Sequence, residues 1–165
     1  MLYDNTVGSR SKTDLAYIAG FLDGDGSLML QIKKRKDGKV KIRFMATICF
    51  YQDTRHEKTL HWIKKILGIG YISRRSDGMS ELRINGYVQV REILKKLLPH
   101  IRFKAIQAKS LIAATEILSS AKFRRLEKKQ LLSLIKLTLL MQQENYVTKK
   151  KKTREELLVV LGLTP

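Results

Sequence analysis

The spacing of apolar residues changes character along the chain, and each change marks an element. Asp14 to Gly24 carries apolar side chains at helical spacing, with Thr13 or Asp14 placed to cap the helix and the glycines of Gly24-Asp25-Gly26 placed to close it. From Leu28 the period drops to two. Leu28, Leu30 and Ile32 alternate with Met29, Gln31, Lys33 and Arg35. After an Asp37-Gly38 turn, Val40, Ile42, Phe44, Ala46, Ile48 and Phe50 alternate with Lys41, Arg43, Met45, Thr47, Cys49 and Tyr51. The pattern predicts a long β-hairpin with one apolar face and one basic, polar face.

Helical spacing returns from Thr54 to Leu67, where Leu60, Ile63, Ile66 and Leu67 share a side and Gly68 ends the run. A second hairpin follows, Tyr71 to Arg75 and Ser80 to Ile84, around Ser76-Asp77-Gly78. Further helices are predicted over Val88 to Leu98, stopped at Pro99, then Lys104 to Leu118, Arg124 to Gln142 and Arg154 to Leu161. Thr153 and Glu156 form a capping-box pair at the start of the last one. The order is αββαββα with extra helices, which predicts one α+β domain over 1–165. Its core is expected over about 12–120 and a helical C-terminal part over about 121–165.

Charge narrows the class. Thirty-three Lys and Arg against fifteen Asp and Glu leave a net charge of +18. Self-repulsion of that size points to a polyanionic partner, and nucleic acid is the usual one. A ribosomal-type basic protein would explain the charge equally well. Cys49 is the one cysteine, so an internal disulfide is excluded and a reducing, intracellular setting is expected. Met1 to Ser11 lacks the apolar core of a signal peptide, and Leu131 to Met141 is too short to span a bilayer. A soluble protein with no membrane partner is expected.

Ile18 to Gly26 reads Ile-Ala-Gly-Phe-Leu-Asp-Gly-Asp-Gly. Ala16, Gly20 and Gly24 recur every four residues and line one stripe, which suits close approach of a second helix. Asp25 stands between glycines that keep bulk from its carboxylate. Such a group approaches a phosphate only if a hard cation bridges the two. Alone, Asp-Gly-Asp-Gly is an ordinary acidic turn; here it follows a small-residue helix and precedes a basic-faced hairpin.

This segment resembles the motif that names the LAGLIDADG family of homing endonucleases, matching five of its nine letters. Ile18, Phe21, Leu22 and Gly24 are conservative departures. The element order, the length and the single copy of the motif resemble the homodimeric branch across nearly the whole chain. The resemblance implies a fold in which the sheet forms a DNA-binding saddle. It also implies a homodimer, joined at Ala16, Gly20 and Gly24, that hydrolyses both strands of a long pseudo-palindromic site. A divalent metal, Mg²⁺ or Mn²⁺, is the implied cofactor, and no small-molecule cofactor is expected.

Carried over residue by residue, Asp25 is the implied metal ligand, with help from the Gly24 carbonyl, and Asp23 stabilises the helix end and interface. Gln52 matches the position that orders water around the nucleophile, and Lys104 the base that stabilises the charged phosphorus. The third such position, often Arg in the family, falls on His56, with Arg55 beside it. That departure leaves the roles of His56 and Arg55 open. An RNA maturase, or a DNA-binding protein of the same fold that does not cut, is the alternative.

A nine-residue strand spans about 30 Å, so one subunit follows roughly nine base pairs and two follow roughly twenty. The outward residues expected to meet DNA are Met29, Gln31, Lys33 and Arg35, then Lys41, Arg43, Met45, Thr47 and Cys49. The second hairpin adds Tyr71, Ser73, Arg75, Glu81 and Arg83, with Glu81 able to accept from cytosine. Lys149, Lys150, Lys151 and Lys152 suit backbone phosphate rather than bases.

Overall fold

The computed structural model describes residues 11–34, 42–145 and 149–163. The chain runs through helix α1 (Lys12–Asp25), strands β1 (Gly26–Lys34) and β2 (Ile42–Asp53), a 3-10 turn at Thr54–His56 and helix α2 (Lys58–Leu67). Strands β3 (Tyr71–Arg74) and β4 (Met79–Asn85) precede helices α3 (Tyr87–Leu97), α4 (Ala105–Ser120), α5 (Lys128–Glu144) and α6 (Arg154–Val160). The α+β order expected from the sequence is therefore the one observed. Arg35, Lys41 and the Asp37-Gly38 turn lie outside the described residues.

The four strands form one antiparallel sheet in the order β1-β2-β4-β3. Alternation decides its two faces. Leu28, Leu30, Phe44, Ala46, Ile48, Phe50, Leu82 and Ile84 point to one side and are buried there with helix residues such as Ile18, Leu22, Leu60, Ile63, Leu94 and Leu111. The residues between them carry the polar and basic groups on the other side.

Several details differ from the sequence expectation: α2 begins at Lys58 after the 3-10 turn instead of at Thr54, and α5 begins at Lys128 instead of Arg124. Ser11, rather than Thr13 or Asp14, caps α1, its hydroxyl accepting from the Asp14 N–H at 3.0 Å. A cap must lie outside the helix, and the first turn begins two residues earlier than the apolar spacing suggests, at Lys12 instead of Asp14. Helix α1 also runs through Gly24 to Asp25, so Asp25 is its last residue and not a turn residue beyond it. The break comes at Gly26, where a Cβ would stand 2.8 Å from the Leu22 carbonyl oxygen. Only glycine lets the strand leave the helix that tightly. Lastly, β3 ends at Arg74, which places Arg75 in the turn, paired with Asp77 at 2.8 Å.

The predicted caps elsewhere are present. Gly68 closes α2 in the left-handed conformation at φ 74°, and Thr153 and Glu156 make the reciprocal capping box of α6.

Candidate nuclease site and nucleic-acid face

Helix α1 buries Ile18, Ala19 and Leu22 against the sheet and neighbouring helices. Its opposite stripe, Ala16, Gly20 and Gly24, is exposed, and a Cβ added at Gly20 or Gly24 would meet nothing within 4 Å. Small residues there serve no packing need among the described residues.

The two acids at the end of α1 have separate fates. Asp23 is buried, and its carboxylate accepts the backbone N–H groups of Arg102 at 2.6 Å, Phe103 at 3.2 Å and Lys104 at 3.0 Å. It supplies the cap that α4 lacks locally, because Lys104 has no side-chain cap of its own. Asp25 is exposed at the helix end.

Lys104 is half-buried, and its ammonium donates to the Asp23 backbone carbonyl. Burial pushes its pKa down, while the carboxylates of Asp23 and Asp25 oppose that shift. Lys104 and Asp25 are thus electrostatic neighbours although 79 positions separate Asp25 from Lys104.

Gln52 reaches the same end through strand register. Gly26 pairs with Phe50, so the chain just before Gly26 lies beside the chain just after Phe50. Its parity with Ile48 and Phe50 directs Gln52 to the helix-covered side. Its Oε1 accepts the Asp53 N–H at 2.8 Å.

His56 lies exposed in the 3-10 turn that follows. Neighbouring Arg55 is tied down: its Nε and one terminal nitrogen each donate to Asp53 at 2.9 Å. Those bonds hold the Asp53 carboxyl well below the usual carboxylate range. Sequence reading missed what anchors this turn. Glu57 accepts from Arg74 at 3.0 and 2.5 Å and from the Ser80 hydroxyl at 2.7 Å, tying the start of α2 to β3 and β4. The Arg74 guanidinium and Ser80 hydroxyl lower the Glu57 pKa to about 2. A lone Glu in a charged segment gives no sequence signal of such partners, since they come from another hairpin.

The polar sheet face brings most of the expected reading residues into rows. Register sets Met29 beside Thr47, Gln31 beside Met45 and Lys33 beside Arg43. A second row runs from Ser27 through Cys49 and Arg83 to Tyr71, and Tyr51, Glu81 and Ser73 lie across a third. Lys33, Arg43 and Tyr71 are exposed. Thr47 and Cys49 share this face but are completely covered. Both sit on the central strand, where longer neighbours close over short side chains, so neither offers surface for a base. The Thr47 hydroxyl donates to Asn85 at 2.7 Å, and desolvation pushes the Cys49 thiol pKa up.

Glu81 is likewise engaged. One carboxylate oxygen accepts from Arg83 at 3.0 Å and from Ser73 at 3.3 Å, and the Cys49 thiol donates to the other at 3.9 Å. Tyr51, which alternation placed on this face, shares a hydrogen bond of 3.1 Å with Ser27. Lys149 to Lys152 are exposed ahead of α6.

Among the described residues no cluster of three or more His, Cys, Asp or Glu side chains could hold a metal ion. A single exposed carboxylate nonetheless fits Mg²⁺, which takes one or two carboxylates and completes its shell with water and phosphate oxygens. No helix of the described residues is long and apolar enough to cross a membrane.

Comparison with known proteins agrees with this fold. Residues 18–111 match the LAGLIDADG endonuclease family. The chain is 36% identical over 107 residues to the DNA endonuclease I-CvuI of Chlorella vulgaris, covering 65% of this chain and 66% of that one. It is 32% identical over 112 residues to the DNA endonuclease I-CreI of Chlamydomonas reinhardtii, covering 68% of each. A crystal structure of I-CvuI in complex with the I-CreI target, in the presence of magnesium, superposes with a TM-score of 0.75 at 30% identity, covering 92% of this chain and 96% of that one. The archaeal intron-encoded I-Vdi141I, complexed with DNA, shares the fold at a TM-score of 0.77 and 21% identity, covering 91% and 95%. With the motif, the fold and these relatives in agreement, the chain belongs to the LAGLIDADG endonuclease family.

Proposed function

We propose that two copies of this LAGLIDADG endonuclease cut both strands of duplex DNA at one long, pseudo-palindromic site of roughly twenty base pairs. One observation carries the reading: Asp25, exposed at the end of α1, neighbours Lys104 and the end of β2, beside a basic sheet face. Two α1 helices packed along Ala16, Gly20 and Gly24 bring both Asp25 carboxylates to the centre of the site.

Asp25, with the Gly24 carbonyl, would hold a divalent cation, Mg²⁺ or Mn²⁺. Such a cation, when bound, offsets phosphate charge and lowers the pKa of the attacking water. Lys104 stabilises the charge that builds on the phosphoryl oxygens. Its ammonium is aimed by the Asp23 carbonyl, and its backbone is fixed by the Asp23 carboxylate. Gln52 orients water. The third supporting role falls to His56, because Arg55 is already paired with Asp53. Asp23 is structural, joining α1 to α4 within one chain.

On the sheet face, Gln31, Lys33, Arg43 and Arg83 read base edges or phosphates. Arg83 is the better reader of the second hairpin, since its guanidinium gives one donor to Glu81 and keeps others, whereas Glu81 already accepts from Arg83, Ser73 and Cys49. A non-cleaving DNA binder or an RNA maturase would have no use for an exposed carboxylate beside a half-buried lysine. Selection of cleavable sites from a randomised duplex library, in Mg²⁺, tests the proposal. One enriched two-fold site, cut by wild type and bound but uncut by Asp25→Asn, supports it. Wild-type cleavage by Asp25→Asn overturns it.

A further inference from the structure

Lys149 to Lys152 place four ammonium groups in succession, and none forms an ion pair among the described residues. A run of like charges spreads into solvent unless something holds it. Here it is held at its C-terminal end. Gln142, in the last turn of α5, grips the Lys152 backbone with both ends of its side-chain amide. Nε2 donates to the Lys152 carbonyl at 3.1 Å, and Oε1 accepts the Lys152 N–H at 2.9 Å. The next residue is fixed as well, since the Thr153 N–H donates to Glu156 at 2.8 Å in the α6 capping box.

The clasp sets where the lysines stand. Lys150 and Lys152 line a cleft of about 280 Å³ together with Gln31, Lys33, Gln142 and Asn145. Gln31 and Lys33 belong to β1, one of the two edge strands of the sheet, whose polar residues lie on the proposed nucleic-acid face. The clasped loop therefore extends the basic face past the edge of the sheet. Holding Lys150 and Lys152, which have no ion-pair partner among the described residues, on one cleft with Lys33 is unfavourable for the free protein and becomes favourable against a polyanion.

We infer that Gln142 is a positioning residue for DNA: its amide clasp pre-sets Lys150 and Lys152 against backbone phosphates beyond the edge of β1. The inference rests on the reading that the lysine run meets phosphate. A loop held in its bound place loses less entropy on binding than a free one.

The test uses the full chain and a mixed-sequence duplex of about 30 base pairs, because the phosphate term is independent of sequence. Binding is measured over a series of salt concentrations. Each phosphate contact contributes about 0.9 to the slope of log K against log salt. Gln142→Leu is expected to flatten the slope by about 1 to 2 and to weaken binding about three- to tenfold, with wild-type circular dichroism and melting temperature. Gln142→Met, which keeps the length and helix propensity of the side chain, is the second variant should the first fail to fold.

The reference variant is Lys150→Gln with Lys152→Gln. Adding Gln142→Leu to it should change neither slope nor affinity, since the clasp acts through those lysines. If the lysine variant flattens the slope and the Gln142 variants keep it at wild type, the clasp inference is overturned while the phosphate reading stands. If the lysine variant itself keeps the wild-type slope, the reading beneath it fails.

Discussion

Asp23 and Lys104 lock the end of α1 to the start of α4. The Asp23 carboxylate accepts the Lys104 N–H at 3.0 Å, and the Lys104 ammonium donates back to the Asp23 carbonyl. The pair explains why two acids, separated by one glycine, do different work. Asp23 faces inward and satisfies three backbone donors; Asp25, two residues on, faces outward.

The two carboxylates should separate cleanly in experiment. Asp23→Ala leaves three N–H groups without their acceptor, at a site that is buried, and should cost roughly 2–4 kcal/mol of stability by urea unfolding. Asp25→Asn should leave stability within about 0.5 kcal/mol and DNA affinity near wild type. It should lower the single-turnover cleavage rate by about a hundredfold or more. A stability loss at Asp25 matching that at Asp23 would refute the division.

The bare stripe of α1 predicts a separation of folding from assembly. Nothing within 4 Å would contact a Cβ at Gly20, so Gly20→Leu should leave the monomer folded. Exchanging an exposed mid-helix glycine should raise monomer stability by about 0.5–1 kcal/mol. The same side chain would force two α1 helices apart. Sedimentation should show a monomer, and cleavage of both strands should be lost. A dimer that persists in Gly20→Leu would move the interface elsewhere.

Glu57 gives a pH signature. Its pKa falls from 4.5 to about 2 through Arg74 and Ser80. A carboxylate whose pKa is depressed by folding contributes stability that is fully present above the unfolded value. That contribution is lost as pH drops from about 4.5 towards 2. Glu57→Gln should remove the part of acid destabilisation that falls in this window. Exchanging the partners, as Glu57→Arg with Arg74→Glu, should restore part of the stability near neutral pH. Urea titrations at several pH values read both effects.

Lys104 predicts the opposite limb for activity. Burial lowers its pKa below that of a free lysine, so the charged form is lost earlier as pH rises. Cleavage at saturating metal and DNA should decline on the alkaline side before an exposed lysine would titrate. Lys104→Arg, which stays charged, should shift that decline upward at reduced rate. An unshifted alkaline limb would remove Lys104 from the chemical step.

Sheet-face residues should divide by what they touch. Arg83→Ala should cost about 1–3 kcal/mol and relax preference at one position of each half-site, as loss of a base contact does. Cys49→Ser should change specificity little, because that side chain has no exposed surface. Library selection with each variant distinguishes the outcomes.

Local patterning was enough for every element from α1 to α6. The period of two marked β1 and β2, Gly68 and Gly78 marked turns, and Thr153 with Glu156 marked the last cap. These features depend on neighbours a few residues apart, which a sequence displays directly. The motif from Ile18 to Gly26 likewise carried the family and the outward carboxylate. Long-range pairing decided the rest. Asp23 finds its donors about eighty residues away, and Glu57 is anchored by a different hairpin. Alternation put Thr47 and Cys49 on the polar face, but only the packing of neighbouring strands could cover them. The clasp of Gln142 on Lys152 is of the same kind. Periodicity tells which way a side chain points, whereas its partners depend on which distant segments the fold brings within hydrogen-bonding reach.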